Sequence, residues 1–282
     1  MSGDGPPRAA RAPNGGSAAA ERVAAGASVG GSRWAGVATF VVLFAAWYVL
    51  TTLTQTIGSG RFPAPGETWD ALRQIAVTGY ADARLHVHIL HSVKLVVLGF
   101  AAAIAVGVPL GLAMGWSRAF EAFINPAFLL IRPIPPLAWI PLAIVWLGLG
   151  DAAKVLIIWF AAFVPAVINS YSGVRAIEPY LIEAARMLGV PRRMFVREVL
   201  IPGALPMIFT GLRVSLQACW TTLVAGELIG AIAGLGHVLY QASLDLFPAM
   251  IVVGMVAVAV TAAVMTILLG WIEQRAMPWR RP

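Results

Sequence analysis

The feature that most limits this sequence is a series of apolar runs, each close to the length of a bilayer-crossing helix. The run at 34–53 contains no charged residue at all. A hydrocarbon core of about 30 Å is crossed by roughly 20 helical residues. Further stretches at 92–115, 123–149, 155–171, 203–232 and 247–272 have similar reach, with the fourth somewhat short. Only 12% of the 282 residues are charged, against roughly 25% in soluble domains. That deficit argues against a water-soluble globule. The expectation is an all-α, polytopic membrane protein with six transmembrane helices in one domain over residues 34–282.

Residues 1–33 are rich in Gly, Ala, Pro and Ser with scattered Arg. This composition cannot bury a core and reads as a disordered tail. The run after it exceeds the roughly 7–15 residues of a signal-peptide core, so it reads as the first span. The single cysteine, Cys219, excludes an intramolecular disulfide and any multi-cysteine metal site.

The net charge of +7 would point to nucleic acid in a soluble protein. Sorting the cations by segment gives another reading. With the N-terminus inside, 13 of the 20 Lys and Arg fall on cytoplasmic segments and 4 on outer ones. Lysine and arginine concentrate on cytoplasmic loops, so both termini are expected in the cytoplasm, and nucleic acid is not needed to explain the charge.

Two extramembrane stretches are long enough to hold structure. In the outer one, 63–91, Pro65-Gly66-Glu67 opens a short amphipathic helix carrying Trp69, Leu72, Ile75 and Ala76 on one face. It is expected to lie on the membrane surface. In the inner one, 172–202, Pro179 suits a first helical turn, and Leu181, Ala184, Ala185 and Leu188 recur at helical spacing. Gly189 can take positive φ and end that helix. Pro191 suits the start of a second helix with Phe195 and Val199 on one face, and Pro202 is expected to break the chain before the fifth span. Taken as physics alone, this helix–Gly–helix elbow is either an amphipathic connector or a docking surface.

Its residues decide between the two by resemblance. Glu183-Ala184-Ala185, Gly189 after three residues, then Val199, Ile201 and Pro202 after nine more resemble the signature loop of permease subunits of binding-protein-dependent ABC importers. The likeness extends over nearly everything after about residue 60. It narrows toward the taurine, aliphatic sulfonate and nitrate branch through residues 132–142, Pro202–Pro206, Thr210–Arg213, Thr222–Ile229 and Gly234-Leu235-Gly236, and is nearest to taurine permeases. Gly226, where the pattern has Ala, and the long N-terminal tail are departures.

The resemblance implies the ABC type I importer permease fold. It also implies a coupling loop at 172–202 in which Glu183, Ala184, Ala185, Gly189 and Pro202 contact a dimer of ATPase subunits. It implies a second permease copy, a periplasmic or lipoprotein substrate-binding protein, and a bacterial inner-membrane location. The cargo implied is taurine or another sulfonate, although importers of nitrate, bicarbonate, aromatic carboxylates and pyrimidines share much of the pattern. The chain has no Gly-x-x-x-x-Gly-Lys-Ser/Thr loop, so it is expected to be non-catalytic and to bind no cofactor. ATP-Mg belongs on the partner.

Inside the spans, Arg132 precedes the break Pro133-Ile134-Pro135-Pro136. An intramembrane charge must face protein or a water-filled cavity. Arg132, with Trp139 beside it, is either part of an electropositive path for an anion, or a clamp on helix ends or partner of Glu227. Glu227 is a third candidate for the substrate path; otherwise it reads as an inter-helix hydrogen bond or salt bridge, because a lone carboxylate lacks the partners of a proton relay. Arg213 reads as a snorkelling cation. His86, His88 and His91 do not share one helical face and read as interfacial residues rather than metal ligands. Gly99, Gly107, Gly111 and Gly254 would allow close helix approach. An ATPase-independent secondary transporter would need ion-coordinating groups at the midplane, where the sequence offers only Arg132 and Glu227. An intramembrane enzyme would need a convergent catalytic cluster, and none is visible.

Overall fold

The computed structural model describes residues 33–54, 58, 60 and 62–280. The expected tail over 1–33 lies outside these residues except for Arg33, which opens the first helix. Residues 1–56 and 57–282 are separate units. The first holds α1 (Arg33–Tyr48), which continues into a π-turn at Val49–Leu53. Its side chains from Val37 to Phe44 are exposed on every face, as a helix in lipid requires.

The second unit contains ten helices among the described residues. In order they are α2 (Pro65–Val77), α3 (Leu85–Trp116), α4 (Arg118–Ile131), α5 (Ile140–Leu147) and α6 (Asp151–Arg175), followed by α7 (Pro179–Met187), α8 (Arg192–Phe195), α9 (Ile201–Glu227), α10 (Leu235–Leu244) and α11 (Pro248–Ala276). No strand occurs among the described residues beyond an isolated bridge between Tyr80 and Ala83. Among the described residues, five helices are long and apolar enough to cross a membrane. The bent pair α4–α5, joined through a 3-10 turn at Pro136–Trp139 and angled at 82°, makes a sixth if taken as one span.

The centre of the unit is α6, flanked by α3 and α9. Leu95, Val96, Ile158, Ala162, Leu216 and Leu223 fill the layers between them. Lipid tails supply no hydrophobic drive between helices, so contact depends on close packing. The glycines of α3 provide it. A methyl group on Gly99 would lie 2.5 Å from Ile158 Cγ2, and one on Gly111 would lie 2.4 Å from the Val167 carbonyl oxygen. Backbone cannot yield as a side-chain tip can. Gly111→Ala is therefore expected to cost about 1–3 kcal/mol, read as a lower melting temperature in detergent. Gly270→Ala, where an added methyl meets nothing within 4 Å, is the neutral control.

Several sequence expectations are corrected. The fourth span is not short, since α6 runs 25 residues. The third is broken at Arg132 as the sequence leads one to expect, because Pro133, Pro135 and Pro136 cannot continue its hydrogen-bond ladder. The fifth ends at Glu227 rather than 232, and α10 forms where no element was expected. Pro202 does not break the chain. The π-turn at Val196–Leu200 lets the Ile201 N–H bond to the Val196 carbonyl, and Pro202 falls in the first turn of α9, where a missing N–H is tolerated. The result is a continuous 36-residue helix, Arg192–Glu227.

The amphipathic helix α2 does not simply lie on the membrane. Its buried side is Ala71 and Ile75, packed with Val238 and Ala242 of α10 and Ala249, Met250 and Val253 of α11. Leu72 is half-buried, whereas Trp69 and Ala76 are exposed. Glu67 accepts a hydrogen bond from the Ala64 N–H at 3.0 Å and fixes the start of the helix.

Candidate functional site

Chemistry-bearing residues gather at three places: the elbow, the break in the bent span, and the opposite end of the bundle. In the elbow, Pro179 opens α7, and Gly189 has φ +64°, a left-handed conformation that an L side chain adopts only with strain. The inner face is anchored by buried Ala185 and Phe195. Phe195 packs on Trp116 at the end of α3, with ring centroids 4.9 Å apart, and Val199 beside it is half-buried. The outer face is unusual for its apolar content. Met187 and Leu188 are 85% and 81% exposed, and Glu183, Arg186, Arg192 and Arg193 are exposed around them. Ala184 is half-buried, and Glu178 raises the pKa of the neighbouring Tyr180 hydroxyl through a hydrogen bond. Of the residues singled out in sequence, Glu183 and Gly189 face outward, Ala185 faces inward, and Pro202 lies in α9 away from the tip.

At the break, Arg132 caps α4. It borders a cleft of about 200 Å³ with Ile134, Pro136, Trp139 and, from α6, Phe160, Val164 and Pro165. Those α6 residues lie at the middle of a 25-residue spanning helix, so the cleft lies at mid-depth. Trp139 stacks on Phe160 at 4.1 Å and 10°. Arg132 is exposed and forms no ion pair among the described residues. The structure thus brings Arg132 and Trp139 together. It does not join either to Glu227.

Glu227 is fully buried at the far end of α9. Ser92 Oγ donates to its carboxylate at 2.8 Å, and the Gly236 N–H donates to it at 2.7 Å. Ser92 Oγ accepts from the Leu235 N–H at 2.9 Å. The Gly234 N–H donates to His88 Nδ1 at 3.1 Å, which leaves the imidazole proton on Nε2 to bond the Tyr80 carbonyl at 3.0 Å. The first amides of a helix have no partner within it. Here three successive ones, at the start of α10, are bonded by side chains from α3 and α9. Gly234 and Gly236 are required by space, since a methyl on either would lie 2.1 or 2.7 Å from Glu227 atoms.

Glu227 is therefore hydrogen-bonded between helices, as one of the alternatives read from the sequence has it. His88 is buried in this network rather than interfacial, because its ring bridges two backbone groups. His91 Nε2 lies 3.2 Å from Asp151, while His86 is exposed. No group of three or more His, Cys, Asp or Glu is placed to hold a metal among the described residues. Arg213 does not snorkel freely. It pairs with Glu273 of α11. Sequence reasoning missed Ser92 and the Tyr80–Asp245 hydrogen bond of 2.5 Å. Burial and that carboxylate push the Tyr80 hydroxyl above its ordinary range, so it remains a donor.

Comparison with known proteins gives these places a context. Residues 107–281 match the family described as binding-protein-dependent transport system inner membrane component. The taurine transport system permease protein TauC of Escherichia coli is 36% identical, covering 86% of this chain and 88% of its own. The putative aliphatic sulfonates transport permease protein SsuC of Bacillus subtilis is 29% identical over 85% of each chain. The nitrate import permease protein NrtB of a Synechocystis strain is 27% identical, covering 84% of this chain and 86% of its own. Among solved structures, an inward-facing MetNI methionine ABC transporter aligns with TM-score 0.57 at 20% identity, covering 69% of this chain and 95% of that one. At that identity the likeness bears on the fold alone. With the family match over most of the chain and the 36% relative nearly end to end, this chain belongs to the inner-membrane components of binding-protein-dependent transport systems, on the taurine, sulfonate and nitrate branch, as an ABC importer permease subunit.

Proposed function

We propose that the chain carries a small organic sulfonate, taurine or a close relative, through a homodimer driven by two ATPase subunits. The ATPases dock on the elbows, a substrate-binding protein docks at the opposite end, and both termini lie in the cytoplasm of a bacterium. The observation that carries this reading is the elbow itself. An apolar tip at Met187 and Leu188, rimmed by Glu183, Arg186, Arg192 and Arg193, is anchored from behind by Ala185 and Phe195. Exposed apolar patches with a polar rim mark interaction sites, and a rigid elbow transmits a push where a loose loop would absorb it. Closure of an ATP-bound partner dimer draws the two elbows together and favours the state in which the path opens outward.

The sulfonate assignment is supported by the sulfonate-named relatives and by a mid-depth guanidinium, which makes strong charge-assisted hydrogen bonds to oxyanions. An inorganic oxyanion is the second reading. It draws on the nitrate relative and on the bicarbonate transport system permease protein CmpB of Synechococcus elongatus, 27% identical.

The test is reconstitution of the chain with its ATPase and binding protein. Taurine uptake should require ATP, and Glu183→Arg should abolish both ATPase co-purification and uptake without unfolding the exposed elbow. Uptake that persists without any ATPase subunit refutes the reading. Nitrate or bicarbonate uptake with no sulfonate uptake selects the second.

A further inference from the structure

The junction at the far end of the bundle does more than close a helix terminus. Residues 228–234, between α9 and α10, form a short strap. It is bracketed by Gly230 at φ +75° and Gly234 at φ +130°, and Ile232 between them is exposed. On one side the strap leans on the bent span. Gly230 lies against Leu149 and Gly226 against Ile157 of α6, and Gly226 and Ile229 line one small pocket with Ile140 and Ala143 of α5 and Ala153 of α6. At its end it is held by the bonds from the Gly234, Leu235 and Gly236 amides to His88, Ser92 and Glu227.

We infer that His88, Ser92 and Glu227 are positioning residues that latch this strap over the outer end of the bent span, and that the strap must lift for the path to open there. The half-span it abuts, α5, begins at the break where Arg132 and Trp139 border the mid-depth cleft. A strap locked onto Leu149 therefore fixes the α5 segment that would have to move. The glycines at both ends supply hinges, since they accept backbone rotation with little strain.

The latch is proton-sensitive by its geometry. His88 Nδ1 holds Gly234 as an acceptor, and an imidazolium has two donors and no acceptor. Protonation of His88 thus removes one of the three holds. The titratable groups on the elements around it are His237 on α10, Lys154 and Asp151 on α6, Asp82 in the preceding turn and Glu227 on α9, with Arg84 and His91 flanking it in sequence.

The test places a reporter under the strap of the complete importer in proteoliposomes. Ala153 is small and 5% exposed, and the native Cys219 is fully buried, so Ala153→Cys gives a thiol that a membrane-impermeant maleimide reaches only when the strap lifts. Labelling should be slow at neutral pH. It should rise about tenfold, the equivalent of one lost hydrogen bond, on acidification or on introducing His88→Leu or Ser92→Ala. His88→Gln, whose amide can accept from Gly234 and donate to Tyr80, should label slowly at both pH values. Unchanged labelling in Ser92→Ala, or equal acid acceleration in His88→Gln and the parent, overturns the latch. Ser92→Ala removes a single hydroxyl and keeps the test available if His88→Leu does not assemble. Labelling is independent of the anion carried, so uptake by the same vesicles reports separately on the proposed cargo.

Discussion

Arg132→Glu is expected to abolish anion uptake, by on the order of 100-fold or more in initial rate, while the chain still folds and assembles with its partners. The two halves of this expectation rest on different observations. Assembly survives because the guanidinium has no ion-pair partner among the described residues and caps a helix end that is already exposed. Uptake fails because the position is electrostatically exacting. The cleft lies beside the middle of α6, where a charge on a helix costs about 2.5–3.5 kcal/mol on insertion scales. A chain keeps such a charge without a partner only where water or cargo reaches it. Two unit charges about 4 Å apart interact by about 4 kcal/mol at an effective dielectric constant of 20, and reversal turns that attraction into repulsion. Arg132→Lys keeps the charge but loses the bidentate fork, so an intermediate rate is expected. Uptake of taurine into vesicles, measured alongside ATPase activity of the same complex, checks all three proteins. Retained uptake in Arg132→Glu would return the residue to the role of a helix-end clamp.

Trp139 shares the cleft and separates contact from charge. Its indole lies flat on Phe160, and both rings line the cleft with Arg132. Trp139→Leu is expected to raise the KM for uptake about tenfold with little change in maximal rate, because it removes an apolar wall and leaves the cation in place. A fall in maximal rate at unchanged KM would mean that the stack supports the bent span rather than the cargo.

These two residues also show where the sequence was informative. Arg132 and Pro133 to Pro136 announce a broken, charged segment inside an apolar run, and the 82° bend is that announcement made physical. The elbow was equally legible. Pro179, Gly189 and Pro191 act on their own backbones, and such local effects survive into the fold almost unaltered. What could not be read is the set of contacts between distant positions. Ser92 and Glu227 are 135 residues apart, and His88 and Gly234 are 146 apart. No spacing rule connects them, so Ser92 passed unnoticed and His88 was placed at the interface. The same holds for Arg213, whose partner Glu273 is 60 residues on. Pro202 failed as a breaker for a different reason. Its effect depends on the register of the helix before it, and one π-turn shifts that register enough to absorb a missing donor. Likewise α10 has no strong cap of its own. Gly234 offers no side chain, and its amides are bonded from α3 and α9 instead.

That borrowed cap makes Glu227→Ala the substitution with the largest expected effect on stability. The carboxylate is fully buried and takes a hydroxyl from α3 and an amide from α10. Removing it orphans both donors in a buried place, and an unsatisfied buried donor costs about 1–3 kcal/mol. With the lost packing of the side chain added, the total expected is about 3–5 kcal/mol, the range seen when one partner of a buried charged network is deleted. Glu227→Gln keeps the shape and one acceptor oxygen, so about half that loss is expected. Both are read as the melting temperature of the detergent-solubilised chain and as its level in the membrane. A double-mutant cycle with Ser92→Ala then distinguishes a shared network from two independent defects. In a network, Ser92→Ala costs about 1–2 kcal/mol alone and much less once Glu227 is gone, because its hydroxyl no longer has a carboxylate to lose. Strict additivity would mean that Ser92 is held by the Leu235 amide alone, and that the end of α9 and the start of α10 are stabilised by packing rather than by the carboxylate between them.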